Sequence, residues 1–415
     1  MQWNSYCEVV KIKTIIELFD ECQLENVIAG LKFRPQKIIF VGYKNIMTSK
    51  RRKDLETLFI NRGYNVEFRY EIVGRYDFNA ICEKLNFIYE QNGDCWFDLT
   101  GGKELVLAAM GTLAERLKIP MFQCDIKSGK FMPILNCDGV EDPGPVTLSF
   151  KEIAALNGGG IIEKTSGEFK WELTPEFKED IRKMWSICRE NCAGWNKQTN
   201  ILAGMEDPNR LYGDLDVNVS FKYEKGVRPV INDAVFMDKL AQSGLILNYR
   251  LTEKGLSFRY KSESVRRALT KAGNILELYG YMLCKEIARE DEGFYNDIHN
   301  SVIVDWDGIV YDGFYSCADT HNELDIVMMR DVVPVFVSCK NGEVHKEALY
   351  ELDTVARKFG GKHAKKVLLS TFVAFNEKSR NHVKMRARDM NIEFIDGVDK
   401  LTEEEFKNIL KAKAR

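Results

Sequence analysis

Residues 322–342 read NELDIVMMRDVVPVFVSCKNG and predict a β-hairpin. Two apolar stretches flank Arg330-Asp331, which supplies the turn, and a polar cluster stands at each outer end. Two strands joined at this turn place Asp325 and Lys340 near one another at the open end of the hairpin. The stretch therefore predicts both a local fold and a place where an acid meets a lysine.

The open end of this hairpin is a candidate catalytic site. Because side chains alternate between the two faces of a strand, Glu323 shares a face with Asp325, and Ser338 shares one with Lys340. A carboxylate beside a lysine suits metal-assisted cleavage of a phosphodiester. The acid holds a divalent cation, and the ammonium orients a water or neutralises the charge that grows on the phosphate.

The composition is that of a soluble protein with about two or three domains, because 415 residues exceed one compact core. Apolar residues make up 45% and charged residues 29% of the chain. The sequence contains no run of about 18 apolar residues and no apolar core of a signal peptide near its start. The 11 cysteines lie mostly among apolar neighbours, as buried thiols do in a reducing compartment. We therefore expect a cytoplasmic protein without a membrane-spanning segment.

A net charge of −3 conceals a local asymmetry of charge. Residues 291–331 contain ten acidic residues and one basic residue, whereas residues 357–388 contain ten Lys or Arg and one acid. An acidic segment that holds cations, followed by a basic one that holds phosphates, fits a metal-dependent enzyme acting on nucleic acid. Two solvated faces of opposite sign are the alternative.

Residues 1–155 alternate short apolar strands with amphipathic helices. Strands are predicted at 37–43, 65–73, 95–100 and 120–126, and helices at 47–61, 76–91 and 103–117. This alternation predicts an α/β domain with a parallel, Rossmann-like sheet that binds ligands at the carboxyl ends of its strands.

Residues 156–262 are predicted to form a small connector. A helix near 233–243 and a hairpin around 252–255 resemble a winged helix. A helix that reads DNA needs exposed Arg, Asn or Gln. This helix offers few of them, so a connector is favoured and a role in reading DNA is the alternative.

Residues 263–415 predict a mixed sheet flanked by helices. A long helix precedes a strand, the hairpin, and then alternating helices and strands. The predicted bounds are 264–290 for the long helix, 301–310 for the strand, 343–358 and 377–390 for the later helices, and 365–372 and 392–396 for the later strands.

Glu277 lies among apolar residues of the long helix. A glutamate that packs against a sheet is partly buried and needs a partner to offset its desolvation. A metal shared with Asp325 would supply one, and a buried ion pair with Lys340 is the alternative.

Glu277, Asp325 and Lys340, in this order and on these elements, resemble the site of the PD-(D/E)XK nuclease superfamily. The resemblance implies a restriction-endonuclease-like domain that works with Mn²⁺ or Mg²⁺. Glu277 and Asp325 would hold the cation, and the main-chain carbonyl of Cys339 would complete its ligand shell. Lys340 would steady the attacking water or the phosphate.

The chain departs from this pattern at Ser338, where the superfamily has an acidic residue. Losing a carboxylate weakens the binding of a hard cation that prefers anionic oxygen. Glu323 can replace it from the neighbouring strand, or Ser338 can contribute its hydroxyl through a water. If neither does so, the domain binds nucleic acid without cutting it.

The predicted strand CWFDLT (95–100) runs into Gly101, Gly102 and Lys103 and then into a helix. Two glycines at such a junction let a ligand approach the main chain closely, and the N–H groups at the helix start favour an anion. Thr100 and Lys103 add donors. The usual glycine patterns of nucleoside triphosphatases and dehydrogenases are absent from the sequence.

FDLTGGKELV after a Rossmann-like alternation resembles the CARF domain, the nucleotide-sensing domain of CRISPR-associated proteins. That family binds cyclic oligoadenylates across the two-fold axis of a dimer. Its pocket uses this junction and the loop after the first strand, which by position is Tyr43-Lys44-Asn45 here. The resemblance thus implies a ligand site at Thr100–Lys103 together with Lys44 and Asn45.

A CARF-like domain followed by a PD-(D/E)XK-like domain resembles the ancillary nucleases of type III CRISPR systems. The resemblance implies a homodimer, activated by cyclic oligoadenylate, commonly cyclic tetra-adenylate, that degrades single-stranded RNA and DNA or nicks DNA. A ligand-gated transcription regulator with a degenerate nuclease domain is the main alternative. A ring nuclease that hydrolyses its own ligand is a third, although the sequence offers no acid–base pair near Thr100 for it.

Overall fold

The computed structural model describes residues 12–162, 171–205, 213–221, 232–271, 273–309, 321–374 and 376–414. Three sheets organise this part of the chain, and they divide it into an N-terminal part (12–156), a middle part (171–261) and a C-terminal part (262–414). None of the helices that could be searched is both long and apolar enough to cross a membrane.

The N-terminal part has the predicted Rossmann-like architecture. Its strands are β1 (Thr14–Leu18), β2 (Lys37–Gly42), β3 (Glu67–Ile72), β4 (Cys95–Asp98), β5 (Met121–Cys124) and β6 (Phe131–Leu135). Its helices are α1 (Ile28–Phe33), α2 (Ser49–Asn61), α3 (Phe78–Asn92) and α4 (Glu104–Leu117). The strand order is β3-β2-β1-β4-β5-β6, and all neighbours are parallel except β5 and β6. The prediction of a parallel α/β sheet is confirmed, and β6 adds an antiparallel edge.

The strand at 37–42 is the second of the sheet, which corrects the predicted strand count. The first strand, β1, is buried at all five positions even though it contains Glu17. It therefore shows neither an alternating pattern nor a purely apolar run, the two signals that identify strands in a sequence. The loop predicted to follow the first strand (43–45) thus follows β2, and residues 19–27 follow β1.

This order places the reversal of the sheet between β1 and β4. Strands β2 and β3 lie on one side of that pair, and β5 and β6 lie on the other. In open α/β sheets ligands bind at such a switch point, outside the carboxyl ends of the strands. The loops 19–27 and 99–103 meet there, whereas the loop after β2 is one strand removed.

The middle part contains a helix followed by a hairpin, as predicted. Helix α5 (Phe150–Leu156) ends the N-terminal part, and β7 (Gly160–Ile162) follows it. The middle part itself forms α6 (Pro175–Glu190), α7 (Cys192–Gly204), β8 (Asp216–Ser220), α8 (Ala234–Gln242), β9 (Ile246–Thr252) and β10 (Gly255–Tyr260). Strands β8, β10 and β9 form an antiparallel sheet. Of the polar side chains on α8, Lys239 lies 2.5 Å from Glu190, and Asp238 and Gln242 are exposed. An acid and a single amide are a poor surface for reading DNA.

The C-terminal part is a mixed sheet flanked by helices, again as predicted. It comprises α9 (Glu263–Leu269), α10 (Asn274–Glu290), β11 (Asp297–Asp305), β12 (His321–Arg330), β13 (Val333–Lys340), α11 (Lys346–Gly360), β14 (Lys365–Ser370), α12 (Glu377–Asp389), β15 (Glu393–Asp396) and α13 (Glu403–Ala414). The strand order is β15-β14-β13-β12-β11-β7. Strand β7, from the segment predicted as a connector, is therefore the edge of this sheet.

The single long helix predicted over 264–290 is wrong. The chain breaks it into α9 and α10 at Gly273, which adopts a φ of 83° and precedes the first residue of α10. A left-handed residue cannot continue an α-helix, and glycine adopts this conformation at little cost. The break allows α10 to begin a new direction with Glu277 in its first turn. The last residue of the strand predicted at 301–310 lies outside the described residues.

One apolar core joins the N-terminal part to the C-terminal sheet. It runs from the residues around β1 and β2 to one face of β12 and β13, and it includes side chains of α11. Helix α5 lies between α2 and α11. The Phe150 ring meets the Phe336 ring edge-on at 5.7 Å, and Arg62 holds Glu152 through two bonds of 2.6 and 2.9 Å. The N-terminal part and the C-terminal sheet therefore share one hydrophobic core.

Gly159→Ala tests this packing. A methyl group at Gly159 would overlap the Phe359 ring and lie 3.0 Å from the Asp305 carbonyl oxygen. Overpacking of this kind costs about 1–3 kcal/mol, so we expect a lower midpoint of thermal unfolding. Gly111→Ala in α4 is the matched control. Its added methyl meets no atom within 4 Å and should raise the midpoint slightly, because Ala favours a helix.

Candidate nuclease site and the ligand junction

Main-chain pairing between β12 and β13 stops before the polar end of the hairpin. There the side chain of Asp325 accepts a hydrogen bond from a main-chain N–H of β13. The regular pairing runs from Arg330–Val333 to Ile326–Val337 and stops there. Beyond it, the main-chain N–H of Cys339 donates to Asp325 Oδ2 at 2.6 Å. The carboxylate thus occupies the position that the next rung of the ladder would take, and the two strands diverge around it.

Asp325 and Lys340 lie together, as the sequence predicts. Lys340 Nζ is 4.0 Å from Asp325 Oδ2, and the Ser338 hydroxyl donates to the same oxygen at 3.2 Å. With the Cys339 amide, three groups therefore reach Oδ2, and Oδ1 takes part in none of these contacts. Ser338, which stands where the superfamily has an acid, orients the carboxylate of Asp325 here.

Glu277 comes to this place from α10. Its helix packs closely on the sheet, since a methyl group at Gly280, one turn further on, would lie 3.0 Å from Ile326. Burial, together with the negative charge of Asp325, raises the pKa of Glu277 to about 8. Burial also raises the pKa of Asp325, although Lys340, the Cys339 amide and the Ser338 hydroxyl oppose the change. Two acids that repel one another are thus held in a half-buried place.

Glu323 supplies a third carboxylate at the rim. It lines a cavity of about 70 Å³ together with Asp325, Ser338 and Lys340. Its side chain is 47% exposed and lies 3.2 Å from Lys271. Its charge contributes to the raised pKa of both Glu277 and Asp325, so it is near enough to act on them. Cys339 differs from these residues, because its thiol is buried and its main chain faces the site.

These residues fit a divalent cation. Three carboxylates lie near one another with Lys340 and Lys271 beside them, and burial and a neighbouring acid raise the pKa of Glu277. A hard cation that prefers oxygen ligands relieves this repulsion and lets both acids ionise. Lys340 Nζ lies 4.0 Å from Asp325 Oδ2. Its positive charge can stabilise the negative charge that develops on a phosphate during phosphodiester cleavage.

The strand order reverses between β1 and β4, and buried side chains there hold the junction after β4 (residues 99–103) in place. Glu17 and Asp98 are register partners on β1 and β4, and both side chains are buried. Burial raises the pKa of both acids. The Thr100 hydroxyl donates to Asp98 Oδ1 and accepts from the Cys124 N–H at 2.8 Å. The hydroxyl of Thr100 is therefore engaged within the protein.

The two glycines of the junction press against the loop after β1. The Gly102 N–H donates to Asp20 Oδ2 at 3.2 Å. A methyl group at Gly101 would lie 3.0 Å from Asp20, and one at Gly102 would lie 2.5 Å from Leu107. Larger residues do not fit, so the main chain itself forms this surface. Lys103 precedes α4, whose first N–H groups have no side-chain cap from it.

The loop after β2 has its own contacts. Arg75 donates to Asn45 Oδ1 at 2.7 Å and stacks over the Tyr43 ring at 5.0 Å, and Lys44 is exposed. Strand β1 separates this loop from the junction after β4. The sequence pointed to this loop because β1 went unrecognised, and it gave no signal for Asp20.

The loop after β1 also reaches the C-terminal part. Glu25, whose carboxylate lies 3.3 Å from a methyl group built at Gly101, holds Lys362 at 2.8 Å and His363 at 3.1 Å. Burial raises the pKa of Glu25, but the bonds from His363 and Lys362 outweigh it and lower the pKa. One side chain thus touches the junction and the segment before β14.

A helix glutamate and an acid–lysine hairpin on a mixed sheet are the arrangement that the resemblance to the PD-(D/E)XK superfamily predicts. Residues 262–415 match the family model described as the Card1-like endonuclease domain. This match supports an endonuclease domain in this part of the chain, and the prediction of a nuclease is confirmed.

Solved structures extend the likeness to the whole chain. Protein VC1899 from Vibrio cholerae has a TM-score of 0.72 at 17% identity, covering 97% of this chain and 99% of the other. Can2 from Sulfobacillus thermosulfidooxidans, in complex with cyclic tetra-adenylate, has a TM-score of 0.67 at 17% identity, with the same coverage. At this identity they show a shared fold. No curated protein matches the sequence significantly.

The stability of the metal-free protein should fall as the pH rises, because the folded state favours the protonated form of Glu277. Its pKa is raised from 4.5 to about 8, so the stability that this preference contributes is fully present below pH 4.5 and is lost as the pH rises through about 8. We expect Glu277→Gln to flatten the decline, measured by calorimetry in a chelator.

Glu323→Gln is the control for this experiment. Glu323 is half exposed, so water already solvates its charge, and its removal should change the slope less. Equal slopes for the wild type and Glu277→Gln would show that Glu277 is not a strained acid.

Proposed function

We propose that this protein is a metal-dependent endonuclease of type III CRISPR defence, activated by cyclic oligoadenylate, with cyclic tetra-adenylate as the first candidate. The observation that carries the proposal is the placement of two acids and a lysine at the open end of the hairpin, in an endonuclease domain of the Card1-like family. The full-length likeness to Can2, whose structure holds cyclic tetra-adenylate, supports the choice of activator.

In this proposal Glu277 and Asp325 hold Mn²⁺ or Mg²⁺, with Glu323 and the carbonyl of Cys339 completing the site. The cation, once bound, activates a water and neutralises charge on the phosphate. The bonds from Ser338 and Cys339 to Asp325 Oδ2 keep that carboxylate in one orientation. Lys340 remains free to approach the phosphate or the attacking water as negative charge develops.

Glu323 compensates for the serine at position 338. Ser338 supplies a hydrogen bond and no charge, so the cation needs a carboxylate from elsewhere. Glu323 lines the same cavity, and its own partner, Lys271, is a half-exposed lysine that can turn into solvent. Its side chain can therefore swing inward when a cation enters.

Helix α12 provides the track for the nucleic acid strand. It starts beyond the carboxyl end of β14, where Ser370 pairs with Lys340 of the site. The exposed cations Lys378, Lys384 and Arg388 line this helix. Contacts with phosphates alone do not read sequence, which suits a nuclease that degrades RNA or DNA broadly.

The junction after β4 receives the activator. Gly101 and Gly102 present main chain, and Lys103 adds a positive charge at the start of α4, which together suit the phosphates of a cyclic nucleotide. Lys44 and Asn45 contact it from the second loop if a dimer partner brings the ligand across. A homodimer with the ligand on its two-fold axis would let one binding event reorient two nuclease domains.

Cleavage assays with the hairpin variants test the enzyme. Labelled single-stranded RNA and DNA are incubated with Mn²⁺, with and without cyclic tetra-adenylate. We expect cleavage that depends on the ligand and falls at least about 100-fold in Asp325→Ala and Lys340→Ala, since such charged groups contribute strongly to the transition state. Ser338→Ala should fall far less, because it removes one hydrogen bond and no charge.

Cleavage that survives Asp325→Ala would overturn the catalytic assignment. Cleavage that needs no cyclic oligoadenylate would overturn the switch and leave the nuclease in place. Binding of duplex DNA without any cleavage would favour the transcription regulator.

Glu25→Gln tests how the junction signals to the nuclease. The loss of charge weakens the bonds to Lys362 and His363, so ligand-stimulated cleavage should drop while ligand binding, measured by calorimetry, stays within about threefold. Glu21→Gln is the matched control, an exposed acid of the same loop. An unchanged ratio of stimulated to basal cleavage in Glu25→Gln would exclude this route.

A further inference from the structure

A thiol, a carboxylate and an imidazole converge where the N-terminal and C-terminal parts meet. Cys22 and Glu25 lie in the loop after β1, and His363 lies in the short helical turn between α11 and β14. One ligand atom of each side chain lies within 4.8 Å of those of the other two. The cluster is separate from the hairpin site, and its Glu25 also touches the junction at Gly101.

The three side chains are held in place. Glu25 is 7% exposed and His363 is 16% exposed, and their side chains are 3.1 Å apart. The Cys22 N–H donates to Asp20 Oδ1 at 2.8 Å, which fixes the loop beneath the thiol. Asp20 in turn accepts from Gly102, so the cluster is built on the same frame as the junction.

We propose that Cys22, Glu25 and His363 bind a zinc-class cation that fastens the loop after β1 to the C-terminal part. A thiolate, a carboxylate and a neutral imidazole are the ligands that Zn²⁺ uses in proteins, and a water completes a four-coordinate site. Two negative charges from the thiolate and the carboxylate balance the divalent ion. Binding releases two protons to the solvent, the thiol proton of Cys22 and the second ring proton of His363, because the thiolate and the neutral imidazole are the forms that bind a metal.

Lys362 is the competitor in the metal-free protein. Its ammonium lies 2.8 Å from Glu25 Oε1, and its side chain is 57% exposed. A long, half-exposed lysine can turn into water when a cation takes its place. An ion pair alone would account for Glu25 and Lys362, but it would not require a thiol beside the imidazole.

Cobalt titration of the full-length protein tests the site, because Co²⁺ bound to a thiolate absorbs in the near ultraviolet and oxygen ligands do not. The chelator-treated protein should develop this band with one equivalent of Co²⁺ and lose it when Zn²⁺ is added. The band should be absent in Cys22→Ser and in His363→Gln and unchanged in Cys82→Ser, a half-buried thiol outside the cluster. The hairpin site offers carboxylates and a carbonyl and gives no such band.

Lys362→Ala separates a metal site from an ion pair. Removing the competing ammonium should lower the Co²⁺ concentration at half-saturation. If the three side chains form only hydrogen bonds and ion pairs between the two parts, the same change should not increase the affinity for Co²⁺. Circular dichroism checks that Cys22→Ser and His363→Gln remain folded. The proposal is overturned by a wild type without the band, by a band that persists in Cys22→Ser, or by weaker Co²⁺ binding in Lys362→Ala.

Discussion

The bond from the Cys339 amide to Asp325 Oδ2 is the interaction on which the nuclease site depends. It lies just beyond the last pair of the β12–β13 ladder, Ile326–Val337, where the start of β12 and the end of β13 carry the residues of the candidate site. A main-chain donor left unpaired in this half-buried place would be costly, and the carboxylate satisfies it. The same bond orients Asp325. One hydrogen bond therefore both satisfies a main-chain N–H and fixes the position of the carboxylate.

Around that bond lie carboxyl groups whose negative charges repel one another. Glu277 enters from a helix that starts afresh after Gly273, and its pKa rises because burial and Asp325 both disfavour its ionisation. Such strain is common at catalytic centres, where a ligand later relieves it. The N-terminal part has a second pair of this kind, since the buried acids Glu17 and Asp98 are neighbours on β1 and β4. In both places like-charged groups lie at the ends of strands.

The sequence predicted what depends on local pattern and missed what depends on strand order. The hairpin could be predicted because its turn, its alternation and its polar ends all lie within 322–342. Strand β1 could not, because Glu17 interrupts its apolar pattern, and the neighbour of Glu17 in the sheet, Asp98, lies 81 positions later in the chain. The role of Asp20 follows from that missing strand. Glu25 and Lys362 are 337 positions apart, and no local signal links them.

The shared hydrophobic core bears on how such proteins recombine. Because α5 packs between α2 and α11, and β7 completes the C-terminal sheet, a junction drawn near residue 155 cuts through packed structure. A foreign ligand-binding half joined there would leave the surfaces around Phe150 and Phe336 without partners. The unit that can be exchanged is therefore larger than the N-terminal sheet. Exchange between relatives must carry α5 and β7 along with a matching nuclease face.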